Sequence, residues 1–464
     1  MGSKLLALVS IGILGLCSLC TLGCSAPVRI APWGVGLAFD GSGNPVIAYV
    51  TSREDDLKCA QWNGSAWVRT TVDRTSPYGH CSLAIDGSGN PAISYGERTL
   101  RFARWSGTKW IKERVDEGGY GSLAFDGSGN PAIAYVDGNS GLRLARDSGA
   151  NWVSKTVDAV GTHGYTPLSL GFDGSSNPAI AYASDNSVTL ARSDGTAWTL
   201  ETVVTVESEY PNVYCLCLAV SGSGKPGVAY VDYRAGLPRY PENSVLRFAG
   251  WDGTDWVAQT VNDSEFGGHA SLAFDPRGNP AIGMTNTAGA LKVELARWDG
   301  NRWARNTVDA GEAKCLAFDA TGNPAIVYEY GCVLKLARWD GVKWAQETVV
   351  EARTRQFDFW GFYTIAIVVP VLLLLLVGGG FYASHSGLVL GVGMLAIVVG
   401  LTSGIGFAIY ANETPTPLIQ GFDPSFGLTV LGSLAVSFLC VVEGVLVLVR
   451  LWRARRMADR GESP

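Results

Sequence analysis

The side chains suited to chemistry fall into a few groups, and none is a complete catalytic set. His80 and His269 each stand six residues before an aspartate, Asp86 and Asp275, in two copies of one repeated segment. Tyr120 holds the same place before Asp126. Equal spacing puts the two imidazoles at equivalent points of a repeated fold, where they could titrate or bind a metal. No carboxylate is spaced along the chain to complete such a site, so neither a metal nor any other cofactor is expected. Two long segments concentrate aromatic and charged side chains. One is Glu207-Ser-Glu-Tyr210-Pro-Asn-Val-Tyr214, and the other runs from Asp232 to Glu242. Rings stack on sugar or peptide planes and a guanidinium forks to oxygens. The candidate ligand-binding residues are therefore Tyr210, Tyr214, Tyr233, Arg234, Arg239, Tyr240 and Glu242, with His80 and His269. The alternative is a solvated insertion with no partner.

These groups sit on a repeat. A turn followed by proline recurs as Asp40–Pro45, Asp86–Pro91, Asp126–Pro131, Asp173–Pro178, Ser221–Pro226, Asp275–Pro280 and Asp319–Pro324. Successive prolines are 46, 40, 47, 48, 54 and 44 residues apart, a period that belongs to propellers or solenoids. Each unit reads as four strands. In the sixth they are Ser271–Asp275, Pro280–Met284, Leu291–Trp298 and Trp303–Val308, with Asp299-Gly300 as a hairpin turn. The proline opens its strand, where no ladder donor is lost. The expected fold is all-β, a seven-bladed β-propeller ectodomain over residues 27–352, followed by three transmembrane α-helices; a linear solenoid is the alternative. Tryptophan pairs at 62/67, 105/110, 251/256, 298/303 and 339/344, with Trp152 and Trp198 alone in the third and fourth units, are expected to pack blade on blade. The same is expected of Tyr49, Tyr95, Tyr135, Tyr182, Tyr230 and Tyr328. The Asp-Gly-Ser-Gly-Asn turns invite a calcium reading, but each supplies one aspartate where calcium takes about 6–8 oxygens. A turn with a left-handed glycine explains the residues more simply.

The repeats resemble those of secreted propellers in the sialidase-like (BNR-repeat) and repeat-lectin group, over residues 36–350. The sialidase Asp-box is Ser-x-Asp-x-Gly-x-x-Trp. Trp251-Asp252-Gly253-Thr254-Asp255-Trp256 carries its Asp-Gly and closing Trp without the serine-led spacing. The resemblance implies an arginine triad, a tyrosine nucleophile with a glutamate, and an acidic aspartate. The sequence does not assemble that triad. A retaining glycosidase needs two carboxylates about 5 Å apart, for which Glu207, Glu209 and Glu242 are candidates by location alone. The expectation is a membrane-tethered binding protein, not an enzyme, with a sialidase-like glycosidase or the structural ectodomain of a membrane complex as the alternatives.

The ends differ in kind from the middle. Lys4 precedes an apolar stretch from Leu5 to Leu22, an export signal over residues 1–26. Thr21-Leu-Gly-Cys24 is similar to a bacterial lipobox, so Cys24 is a candidate for lipidation, beside ordinary cleavage or an uncleaved anchor. After a linker at 353–361, three apolar runs at about 362–382, 387–410 and 427–449 each have the ~20 residues that span a bilayer. Arg450, Arg453, Arg455, Arg456 and Arg460 crowd the tail at 451–464 and place it in the cytoplasm, with the propeller outside. Glu443 in the third run is read as snorkelling, or as meeting Arg450 or another helix. Gly378 to Gly380, Gly387, Gly391 and Gly393 would allow close helix packing.

The whole chain of 464 residues is 47% hydrophobic and 17% charged, with 58 glycines, 15 tryptophans and net charge −6. That excludes disorder and collagen. It also gives no basic face for nucleic acid. The expected partners are the lipid bilayer and a glycan, peptide or protein ligand. Six cysteines lie in the exported part: Cys59, Cys81, Cys215, Cys217, Cys315 and Cys332. Disulfides persist in that environment. Cys315 and Cys332, near one end of the seventh unit, are the first candidate pair; free buried thiols are the alternative.

Overall fold

The computed structural model describes residues 30–351, apart from 52–55, 75–79, 140, 160–166, 185–186, 206–214, 234–243, 264–265 and 332. The export signal, linker, three apolar runs and basic tail lie outside the described residues. Among the described residues there is no helix, and so none long and apolar enough to cross a membrane.

Twenty-eight strands form seven four-stranded antiparallel sheets. Each sheet takes four consecutive strands in chain order. The seven blades span 30–73, 81–117, 119–158, 168–205, 216–262, 266–310 and 312–350. The first strand of each blade packs on the first strand of the next, and the seventh (Glu312–Phe318) packs on the first (Ile30–Phe39), so the ring closes around a central channel. The seven-bladed reading of the repeat period holds.

The alternating pattern of each second strand is buried on both faces, as a blade sandwiched between neighbours requires. Pro91–Tyr95 and Pro131–Val136 are buried at every position. The six second-strand tyrosines are among the largest fully buried side chains. Each turn aspartate caps its own turn. Asp40 Oδ1 accepts from the backbone N–H of Ser42 (2.9 Å) and Asn44 (2.8 Å), and Gly43 takes a left-handed φ of 78°. The carboxylate is thus spent inside the turn, which is the simpler of the two sequence readings. In blade 4 the left-handed position is Ser176, at φ 65°, and its hydroxyl accepts from Gly127 N–H of blade 3 at 3.0 Å.

Two kinds of clip join neighbouring blades. The first lies at the channel wall, four residues before the turn aspartate or its equivalent. Ser82 Oγ accepts from Leu123 N–H, Ser122 Oγ from Leu170 N–H and Ser271 Oγ from Leu316 N–H, each at 3.0 Å. Ser169 donates to Leu218 O at 3.4 Å and Cys217 to Ala270 O at 3.2 Å. The second lies where the outermost strand bulges. In every blade one residue interrupts the register there: Val72, Val115, Val157, Val203, Val261, Val308 or Val349. A bulge re-aims the following side chain. That side chain is Asp73, Asp116, Asp158 or Asp309 in four blades, and each accepts the hydroxyl of the next blade's buried tyrosine. Asp73 to Tyr95 and Asp158 to Tyr182 measure 2.7 Å.

Two residues past the outer tryptophan, the incoming blade often supplies a second partner. Lys112 reaches Asp73 at 3.0 Å and Arg305 reaches Asn262 at 2.7 Å. Arg69 Nε reaches Val349 O at 2.7 Å across the closing seam. The seam between blades 4 and 5 has none of this. Val204 stands where the aspartate would be and Ala258 where the cation would be. Tyr230, 1% exposed, keeps a hydroxyl with no hydrogen-bond partner there.

The tryptophans are structural too. Both members of a pair meet within one hairpin at tilted or edge-on angles, 5.6 Å apart for Trp62 and Trp67. The second also reaches the preceding blade. Trp110 Nε1 donates to Thr70, Trp152 to Glu113, Trp256 to Glu201 and Trp303 to Gln259.

Candidate functional site

Strand direction sorts the connections onto two faces. On one face, every turn between first and second strands has five residues and every turn between third and fourth strands has four. On the other, the connection between second and third strands ranges from two residues (185–186) to ten (234–243). Those entering a blade range from one (Gly118) to ten (206–215). Irregular connections on a rigid scaffold are where binding residues collect.

Of the ligand-binding candidates, Tyr210, Tyr214, Arg234, Arg239, Tyr240 and Glu242 lie outside the described residues. Tyr233 ends the second strand of blade 5, Pro226–Tyr233, on this irregular face. Beside it, Asp232 pairs with Arg247 at 3.3 Å at the root of the ten-residue connection.

His80 and His269 sit at the mouth of the channel on the same face, His269 within the innermost strand Phe266–Phe274 and His80 just before Cys81–Ile85. They are close enough to influence each other electrostatically. Spacing along the chain places no carboxylate beside them, but other elements supply carboxylates. Glu312 of blade 7 lies 3.7 Å from His269 Nε2. Glu97, in the connection after the second strand of blade 2, acts on His80. Lys314 completes the group, with Nζ 3.0 Å from Glu312 and 3.6 Å from Glu329. Its side chain is 1% exposed, so this ammonium is held inside the wall between two carboxylates. Both imidazoles titrate at about 4, well below their ordinary range. Burial is the main cause for each, and Lys314 adds to it for His269 while Glu312 opposes. Both rings are neutral at pH 7, each with one donor and one acceptor nitrogen.

Sequence reasoning missed Glu97, Glu312, Lys314 and Glu329. A signal for Lys314 existed. Five residues before the turn, the other blades carry Val35, Cys81, Gly121, Leu168, Leu216 and Ala270, so a lysine there is the lone charge at its repeat position. Among the described residues no group of three or more His, Cys, Asp or Glu side chains is placed to hold a metal ion. Cys315 is a free thiol that accepts a 3.8 Å hydrogen bond from Ser271, and Cys332, its expected partner, lies outside the described residues.

No family model matches this chain. No curated protein is detectably similar to it. Solved structures share the fold. An ulvan lyase of a new polysaccharide lyase family, bound to a saccharide of glucuronic acid and sulfated rhamnose, superposes with a TM-score of 0.53 at 12% identity, covering 70% of this chain and 94% of that one. Looser likenesses are the Aleuria aurantia lectin with a fucosylated GlcNAc (TM-score 0.43, 13% identity, 71% and 99% covered) and a Myceliophthora thermophila Cps50 propeller domain (0.47, 10%, 68% and 99%). At these identities the likeness is one of fold. This chain is a seven-bladed β-propeller of the repeat type.

Proposed function

We propose that this propeller is a recognition module whose ligand docks on the irregular face around the channel mouth. The observation that carries the reading is the contrast between the two faces. One is built from turns of constant length whose aspartates are consumed internally. The other combines unequal connections with His80, His269, Glu97, Glu312, Lys314 and Glu329. That set offers neutral donors and acceptors together with both signs of charge. It suits a ligand rich in hydroxyl and carboxyl groups, a glycan first and a peptide or partner protein second. The aromatic and arginine residues of 206–214 and 233–242 would extend the surface at blade 5.

The glycosidase reading fits less well. Among the described residues, Glu312 and Glu329 come together but flank the ammonium of Lys314, while Glu207, Glu209 and Glu242 lie outside the described residues. Catalysis of that kind instead needs room between the carboxylates for a sugar bond. We further propose that the propeller stands outside the cell, tethered by the three apolar runs, with the arginine-rich tail in the cytoplasm. Reporter fusions at the C-terminus and within the connection 234–243 would read opposite sides of the membrane if this is right.

The direct test is a glycan-array screen of the full chain in detergent beside a version lacking 233–241 and a His80→Ala/His269→Ala variant. Binding that weakens at least tenfold in either variant locates the site. A silent array with the folded protein would move the search to protein partners and sink the sugar reading.

A further inference from the structure

Blade 5 opens on Cys215-Leu216-Cys217, and both sulfurs reach the same peptide of blade 6. Cys215 Sγ donates to Ala270 O at 3.4 Å and Cys217 Sγ to the same oxygen at 3.2 Å. Ala270 N–H returns a hydrogen bond to Cys215 Sγ at 3.3 Å. We propose that Cys215 and Cys217 form a two-coordinate site for a soft monovalent metal cation, Cu(I), in the seam between blades 5 and 6.

The backbone places the two thiols side by side. Leu216 pairs with Tyr230 and Cys217 with Ala229, and Val231 N–H donates to Cys215 O at 3.2 Å. The chain is therefore extended through all three residues, and side chains two apart share a face. Their Cα atoms are then about 6.7 Å apart at roughly 3.3–3.4 Å per residue. That lies at the long end of what a disulfide bridges, about 4.4–6.8 Å, with the Cβ vectors parallel and not convergent. A bond between the sulfurs would strain this strand.

The surroundings select the ion. The pair packs with Val231, Leu246, Phe248, Phe266 and Met284, an apolar cluster that adds a thioether. Zinc takes four ligands and calcium six or more oxygens, and no cluster of three or more His, Cys, Asp or Glu ligands exists among the described residues. Soft thiolates in apolar surroundings favour Cu(I). Binding replaces the two S–H bonds by two Cu–S bonds and sends both protons to solvent. The metal enters and stays as Cu(I), with no electron transferred.

The test uses the full chain, reduced, under nitrogen, with Cu(I) buffered by bathocuproine disulfonate. One copper per chain is expected, released as the pH is lowered, with an absorption edge spectrum showing sulfur and no nitrogen neighbours. Cys215→Ser and Cys217→Ser should each bind at least tenfold more weakly, while Cys59→Ser binds as the parent does. Thermal unfolding of the copper-free variants establishes that they fold, and a folded Cys217→Ser variant that keeps its copper overturns the site. If both serine variants fail to fold, nitrogen neighbours in the parent's spectrum overturn it. So does a parent chain that binds no copper after reduction, or one whose mass shows a disulfide between the two cysteines that reforms in preference to binding.

Discussion

The hydroxyl of each buried second-strand tyrosine does a different amount of work from blade to blade. Tyr135 donates to Asp116, whose carboxyl also takes Ser154. Tyr135→Phe should therefore cost about 1–3 kcal/mol of unfolding free energy, the range for a bond to a charged acceptor. Tyr230 lacks such an acceptor because Val204 replaces the aspartate. Tyr230→Phe should be neutral or stabilise by up to about 1 kcal/mol, since it removes a buried unsatisfied group. Urea unfolding followed by tryptophan fluorescence separates the two, and equal losses would contradict the account. The histidines give a pH signature. They titrate at about 4 in the fold and near 6.5 unfolded, so between those values the unfolded chain binds more protons. Their contribution is complete above about pH 6.5 and is lost as the pH falls toward 4. A His80→Asn/His269→Asn variant should flatten the stability profile in that window.

At the scale of the strand and turn, much was legible. The proline-led second strands and the Trp-turn-Trp hairpins follow directly from period-2 alternation and turn residues. The bulge did not, because Thr-Val-Asp continues the same alternation and only the pairing with the third strand shows that Val72 or Val115 is the extra residue. The mouth cluster was half visible. His80 and His269 were found by repeat position, but their carboxylate neighbours come from other blades or connections, and sequence spacing does not carry distances between blades. Close packing also explains a break in the channel-wall clip. Blade 1 has Gly36 where most other blades have serine, because a Cβ there would lie 2.7 Å from Leu83 Cβ. Gly36→Ala should destabilise by about 1–3 kcal/mol, the cost of overpacking, measured as a lowered urea midpoint with unchanged slope. At Ser176, relief of the left-handed strain by glycine is opposed by loss of the bond to Gly127 N–H.

The described residues form a ring without a shared strand at its closure. Ile30–Phe39 belongs wholly to blade 1 and Trp344–Val350 wholly to blade 7. The seam is held by side-chain packing of Leu37, Ile47, Val327, Leu336 and Val349, and by Arg69 on Val349 O. Arg69→Ala should lower the unfolding midpoint and raise proteolysis near residues 30 and 350 before other sites are cut. Survival of those ends under limited trypsin treatment would show the packing alone to be sufficient.

Because every sheet is complete within one unbroken stretch of chain, the position of the ends is arbitrary to the architecture. Joining residue 350 to residue 30 and opening the chain between Glu117 and Gly119 would leave each sheet intact. For the same reason, copying one stretch of the gene copies an entire wedge of the ring. The unequal clips would then be the trace of copies drifting separately after duplication.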